Sequence, residues 1–236
     1  MSSSVTNLEL LSPEKHKDLR LLPATGAKPH FVQIVAAEFA AAAACCPILF
    51  TKEAATGNFF AGAMFGFKPG ESFLQADSTD SSAFIPLSMQ RDGFFVAGEQ
   101  IAIDRNNPRF SDTDGEPLFD TTNEPGIALR RIQRTLGQLK SGIEMTDRFI
   151  RALAELKLIE PIDITLNFDT GEERLTLQGL YTVSVDNLRT LGDAAAIRLL
   201  RAGYLQLAYT MSASLEQLPV LARMRDQAIR RALAAS

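Results

Sequence analysis

The chain has no tryptophan and three tyrosines, against fifteen phenylalanines in 236 residues. Recognition surfaces favour Tyr and Trp, so this aromatic set reads as core filling. Histidine is equally scarce: His16 and His30 are the only two. They supply neither an HExxH helix nor a three-histidine zinc site, and each is expected at the surface rather than in catalysis. Cysteine occurs twice, at adjacent positions 45 and 46. Such a pair builds no disulfide framework and no spaced metal site. The expected state is two small buried thiols, since free cysteine packs as a small hydrophobe, with a strained vicinal disulfide as the rare alternative, and free thiols fit a reducing cytoplasm.

Charge of one sign is also missing. A net charge of −4 gives no electrostatic reason to bind nucleic acid. The phosphate-binding patterns GxxxxGK[ST] and GxGxxG are absent, as is the GxSxG nucleophile elbow. These absences argue against the common enzyme classes, not against every enzyme. Residues 1–30 are polar, with Glu9, Glu14, Lys15, Lys17, Asp18 and Arg20, and are expected to be a loose N-terminal arm rather than a signal peptide. The most apolar stretch, Ile34–Phe50, is short for a span of roughly 20 residues, carries Glu38 and owes its hydropathy to alanine. It reads as a buried helix, so no integral membrane segment is expected.

With 46% hydrophobic residues the chain has ample material for a core. Ser12-Pro13-Glu14 opens a short helix, with Ser12 as N-cap and Pro13 at the first helical position. Thr25-Gly26 and Lys28-Pro29 mark turns. Phe31–Val35 reads as a strand, Ala36–Cys46 as a helix ended by Pro47, and Ile48–Thr51 with Phe59–Phe67 as an antiparallel hairpin around Thr56-Gly57-Asn58. Gly62 and Gly66 mark places where another element packs close. Lys68–Glu71 is a turn and 75–82 a polar loop. Phe94–Ala97 and Gln100–Asp104 are strands about a Gly98 turn. Residues 105–126, punctuated by Asn106-Asn107-Pro108, Asp114-Gly115, Glu116-Pro117 and Glu124-Pro125-Gly126, read as a long ordered surface loop anchored by Phe110, Leu118 and Phe119.

A long helix is expected near 127–157. Its stripe of Ile132, Leu136, Leu139, Ile143, Thr146, Ile150 and Leu153 advances by alternating steps of four and three. It fits the core face of one helix; a homodimer seam is the alternative. Gly137 and Gly142 weaken the helix. Arg130, Arg131, Arg134 and Lys140 read as a solvated basic face. A further β-hairpin spans 162–178 around Asp169-Thr170-Gly171, and Tyr181–Val185 adds a third strand. The C-terminus is helical: 186–191, 194–202, 204–214 and 215–235, with Leu218, Leu221 and Leu233 on the last helix's apolar side and Pro219 in its first turn. A strand-rich first half and a helical second half predict an α+β fold, with the arm followed by a single domain over 31–236.

Asp104, Asn106, Asp112, Asp114 and Glu116 invite comparison with a calcium loop. The EF-hand register fails, because Gly115 at loop position 6 puts Phe110 at position 1 and Thr121 at position 12. Acidic turns are the simpler reading; an irregular cation site stays open. Asp169-Thr170-Gly171 matches the aspartic-protease tripeptide but sits where a hairpin needs its turn.

Residues 31–120 resemble the SapC family of bacterial proteins. The carriers are Glu38-Phe39, Cys46-Pro47-Ile48-Leu49-Phe50, Phe67-Lys68-Pro69-Gly70-Glu71, Phe84-Ile85-Pro86, Arg91-Asp92-Gly93-Phe94, Ile103-Asp104 and Asp114-Gly115-Glu116-Pro117-Leu118-Phe119-Asp120. Leu19-Arg20-Leu21, Leu158-Ile159-Glu160-Pro161 and Gly179-Leu180-Tyr181 extend the likeness over nearly the whole chain. The resemblance implies a link to surface-layer export or outer-membrane uptake systems and no particular reaction. The expected function is a soluble cytoplasmic accessory protein without catalysis or cofactor of its own. It would bind a protein or small-molecule partner through Asp104, Asn106, Arg109, Phe110, Asp114, Glu116 and Phe119. The alternatives are an enzyme or enzyme subunit modifying peptides, glycans or aromatic compounds, with Asp104, Asp114 and Glu116 as bases or ligands, and a structural subunit of an export assembly.

Overall fold

Antiparallel strands fill the first half of the chain and helices most of the second. The computed structural model describes residues 8–23, 29–73, 84–167 and 174–234. The Thr25-Gly26 turn, the 75–82 loop and the Asp169-Thr170-Gly171 turn lie outside them. In chain order the elements are β1 (Leu8–Leu10), α1 (Pro13–His16), β2 (Arg20–Leu21), β3 (Phe31–Gln33), α2 (Phe39–Ala43), β4 (Ile48–Lys52), β5 (Phe59–Met64), α3 (Leu87–Gln90), β6 (Phe94–Ala97) and β7 (Gln100–Asp104). Then come β8 (Phe110–Ser111), β9 (Glu116–Pro117), α4 (Ile127–Glu155), β10 (Ile159–Asn167), β11 (Arg174–Val183), α5 (Val185–Arg189), α6 (Asp193–Arg201), α7 (Tyr204–Ser214) and α8 (Leu218–Ala234). The fold is α+β.

Contacts group the chain into two units, Met1–Ala27 with Ile85–Ser141 and Lys28–Phe84 with Gly142–Ser236. In the first, β1, β7 and β6 form an antiparallel sheet in which Leu10 faces Ala102 and Ala102 faces Phe95. The β6–β7 hairpin turns at Gly98, whose φ of +64° is left-handed and suits glycine. A second small sheet has the order β8-β2-β9. The core of this unit is Leu19, Leu21, Phe94, Ile103, Phe110, Leu118, Phe119, Ala128, Leu129, Ile132 and Leu136. The reading of residues 1–30 gave them no strand; β1 and β2 both lie there, β1 through its pairing with β7 and β2 with Leu21 buried in the core. His16, expected at the surface, is 5% exposed. Its Nδ1 lies 3.2 Å from Ser12 N and 3.1 Å from Ser12 O, and its Nε2 3.4 Å from Glu9 Oε2, so the ring closes the turn that Ser12 and Pro13 start.

The second unit holds a five-stranded antiparallel sheet, order β10-β11-β4-β5-β3. The predicted hairpin of β4 and β5 pairs Ile48 with Ala63 through Lys52 with Phe59. Gly62 is a close approach, as its spacing suggested: a Cβ there would collide with the Phe31 ring, and one at Gly66 with the Glu71 carbonyl. Tyr181–Val183 is not a separate third strand. It continues β11 beyond a bulge, where the register slips between Ile162 and Ile164 and Gly179 takes φ +74°. The bulge lets β11 pair with β4, Tyr181 opposite Phe50. Only Phe39–Ala43 of the alanine-rich segment is α-helical, after a 3-10 turn at Ala36–Glu38. Phe39, Phe50, Phe149, Leu153, Leu158, Ala208 and Met211 centre the larger core, and Leu49, Met64, Phe67, Ile164 and Leu221 a smaller one.

The long helix α4 contributes to both units. Its stripe is buried at Ile132, Leu136, Leu139, Thr146, Ile150 and Leu153, but Ile143 is 46% exposed. The stripe drifts there because Gly142, not Ile143, meets Val35. The helix stops with a Schellman pattern: Leu158 N–H bonds Leu153 O at 2.9 Å and Lys157 N–H bonds Ala154 O at 3.0 Å, with Lys157 at φ +54°. No helix among the described residues is long and apolar enough to cross a membrane.

Candidate binding cleft

The loop after β7 is ordered because it wraps a strand. β2 pairs with β8 on one side, Leu21 opposite Phe110, and with β9 on the other, Leu21 opposite Glu116. The reversal between them needs Gly115: at φ +104° a Cβ would lie 2.6 Å from the Leu21 carbonyl oxygen. Phe110, Leu118 and Phe119 anchor the loop in the core, as their apolar character predicted. Phe110 packs edge-on to Phe94, ring centroids 5.0 Å apart.

Arg109 is 7% exposed. Its Nη1 donates to the carbonyls of Gln90 and Asp92, 2.9 Å each, and its Nε to Leu22 O at 3.4 Å. One guanidinium thus ties the loop to the α3–β6 turn and to the end of β2. Burial pulls its pKa below the ordinary arginine value, while the Asp92 charge opposes the change.

The acids expected to form a site each hold a local partner. Asp104 Oδ1 accepts from Asn106 N at 3.2 Å, an Asx turn, and Asp114 Oδ2 accepts from Thr113 Oγ1 at 2.7 Å. Asp112 takes a fork from Arg105 Nη2 at 2.7 and 2.8 Å. Glu116 takes Arg131 Nη2 at 2.6 Å, on the surface. Among the described residues no group of three or more His, Cys, Asp or Glu stands together to hold a metal. Asp120 builds the last turn. Its Oδ1 accepts from Thr122 Oγ1, Thr122 N and Glu124 N at 2.6, 2.8 and 3.0 Å, and these bonds hold its carboxyl below the usual range. Asn123, at φ +64°, completes it.

That turn forms one lip of a solvent-open cleft of about 530 Å³ in the first unit. Leu11, Ile101, Phe119, Leu129 and Leu136 give it an apolar floor, and Val96 a wall that is 52% exposed. Glu99 and Gln100 reach it from the β6–β7 turn, Asn123 and Glu124 from the Asp120 turn, and Gln133 and Lys140 from α4. Among the described residues the side chains of Glu99, Gln133 and Lys140 make no hydrogen bond or ion pair. Mixed walls of this kind, apolar with a few uncommitted polar groups, suit binding.

Of the seven residues singled out in the sequence, Phe119 alone lines the cleft. Phe110 sits in the core, Arg109 is buried on carbonyls, Asp104 is half-buried, and Asn106, Asp114 and Glu116 lie on the loop surface. The cleft residues of α4 were missed, yet a signal exists. Leu129, Gln133, Leu136 and Lys140 follow helical spacing, so two uncommitted polar side chains share a face with buried leucines.

The molecule is therefore an α+β protein of antiparallel sheets with an open, partly apolar cleft. The SapC family model matches residues 11–221, and the chain belongs to the SapC family. The matched range takes in every cleft residue. No curated protein and no solved structure matches the chain.

Proposed function

We propose that this SapC-family chain is a cytoplasmic accessory protein without catalysis of its own, holding a segment of a partner protein in the cleft. The observation that carries this reading is the pairing of an apolar floor with Glu99, Gln133 and Lys140, polar groups uncommitted within the described residues. The openness of the cleft favours a protein segment over a small molecule, because small-ligand pockets enclose most of their ligand. Glu99 on the β6–β7 turn, Glu124 on the Asp120 turn and Lys140 on α4 offer both signs of charge, which sets register and orientation more than affinity. The carboxylates that an enzymatic reading would use, Asp104, Asp114 and Glu116, already serve turns or an ion pair.

Deleting 105–120 would be a poor test, since it removes Phe110, Leu118 and Phe119 from the core. Exposed lining residues are better. The triple variant Glu99→Lys, Glu124→Lys, Lys140→Glu should keep the wild-type melting curve. It should capture the partner that wild-type protein captures from its host at least about tenfold less well, the effect of losing roughly 1.4 kcal/mol. Equal capture by a folded variant would refute the cleft assignment. A non-protein mass retained in native mass spectrometry and released on denaturation would replace the protein partner with a small ligand.

A further inference from the structure

Cys45 and Cys46 follow α2 in the second unit. The expectation of two buried thiols holds for one of them: Cys46 is 1% exposed, while Cys45 is exposed. Both are free, with their sulfurs 3.9 Å apart. Both S–H groups lie against the Ala42 carbonyl oxygen, Cys45 Sγ at 3.4 Å and Cys46 Sγ at 3.2 Å. One thiol therefore faces solvent and a second waits directly behind it.

From this arrangement we infer that Cys45 and Cys46 form a peroxide-oxidisable dithiol, with Cys45 the attacked sulfur and Cys46 the resolving one. A reactive cysteine needs solvent access and thiolate character, and a neighbouring thiol to resolve the product. Cys45 meets the first by position. It meets the second because its hydrogen-bonding contact with the Cys46 sulfur lowers its pKa, against a smaller opposing effect of burial. The same hydrogen bond, reinforced by burial and by the Cys45 charge, raises the pKa of Cys46. The two thiols are thus unequal, and attack begins at the exposed one.

The chemistry balances with hydrogen peroxide as the named oxidant. The Cys45 thiolate attacks one peroxide oxygen, the O–O bond breaks, and hydroxide leaves to be protonated as water. Cys45 becomes a sulfenic acid, its sulfur oxidised by two electrons and the peroxide reduced by two. Cys46 sulfur then attacks the Cys45 sulfur. An S–S bond forms, the S–O bond breaks, and the hydroxyl leaves with the Cys46 proton as a second water. Adjacent Cα atoms lie about 3.8 Å apart across a trans peptide, below the usual disulfide range of roughly 4.4–6.8 Å. A disulfide there is strained and easily reduced, which makes the step reversible by ordinary thiols. Closing it draws Cys46 from its place among Phe39, Ala42 and Ile48 in the larger core.

The test uses the full chain under native conditions. Tryptic peptide 21–52 holds both cysteines and no methionine. After peroxide, that peptide should weigh less by two hydrogens and resist alkylation, and dithiothreitol should restore both alkylation sites. In Cys46→Ala, dimedone should trap a sulfenic acid on Cys45. In Cys45→Ala, loss of the remaining thiol should slow by at least about tenfold, because only the exposed thiolate reacts quickly. Two thiols still alkylatable after peroxide, a stable sulfenic or sulfinic acid on wild-type Cys45, or a dimer linked between chains would each overturn the assignment. The wild-type peptide mass decides the matter even if a variant fails to fold.

Discussion

Gly142 on α4 faces Val35 so closely that a Cβ would lie 2.6 Å from Val35 Cγ2 and 2.8 Å from Val35 Cβ. A glycine in a helix interior costs about 1 kcal/mol against alanine, so its presence here needs this compensation. One turn on, Thr146 Oγ1 accepts from Ala36 N at 2.8 Å and donates to Gly142 O at 2.7 Å, so the helix and the Val35 segment meet through a hydrogen bond as well. Gly137 on the same helix has nothing within 4 Å of its would-be Cβ. The two glycines should therefore respond in opposite directions. Gly142→Ala should destabilise the protein by about 1–3 kcal/mol through overpacking. Gly137→Ala should stabilise it by up to about 1 kcal/mol. Chemical denaturation of the two variants checks this, and equal shifts of one sign would show that Val35 does not set the position.

Arg109 should be structural. Arg109→Met leaves the carbonyls of Gln90, Asp92 and Leu22 without their donor and should cost about 2–4 kcal/mol. Arg109→Lys should recover only part, because an ammonium lacks the planar fork. Thermal melts give the cost, and hydrogen exchange over 105–118 should rise with it. A melt unchanged by Arg109→Met would mean that the loop is held by Phe110 and Leu118 alone.

The lip of the cleft should loosen in acid. The three donors to Asp120 Oδ1 lower its pKa in the folded chain below the ordinary 3.8. Such a group adds stability that is fully present above the unfolded value and is lost as pH falls through the folded one. Protection of the Thr122 and Glu124 amides, measured relative to their intrinsic exchange rates, should hold from neutral pH down to about 4 and fall below it. In Asp120→Ala that protection should be low throughout.

Lys157 occupies a left-handed position, at φ +54°, that glycine adopts without strain. Lys157→Gly should raise stability by roughly 1 kcal/mol. A loss instead would mean that the lysine stem contributes packing that outweighs the backbone strain.

Much of the fold was legible because its signals are local. Pro13 at a first turn, the β4–β5 hairpin, Gly98 between two runs rich in strand formers and the heptad spacing of α4 each announce an element without outside help. The continuation of β11 past Gly179 was not legible, since a bulge and a new strand leave the same glycine in the sequence. The burial of His16 was hidden too, because its partners Ser12 and Glu9 are ordinary surface residues until α1 folds the ring back onto them.

The site was read less well for a physical reason. Polar turn residues look alike whether they shape a loop or meet a ligand. Asp104, Asp114 and Asp120 spend their oxygens on neighbouring backbone or hydroxyl groups, while Gln133 and Lys140 lie on a helix whose exposed face carries many such residues. Only the packing of β6, β7 and the Asp120 turn around Leu129 and Leu136 separates them.

The central claim is that the cleft holds a partner protein. It is tested most directly by placing a photo-crosslinking amino acid at Gln133, and separately at the exposed, distant-in-sequence Arg201, and irradiating the host cells. The account predicts one dominant protein adduct from position 133, absent from position 201 and lost when Glu99→Lys, Glu124→Lys and Lys140→Glu are introduced together. Adducts equal at both positions, or an adduct at 133 indifferent to those charges, would contradict it.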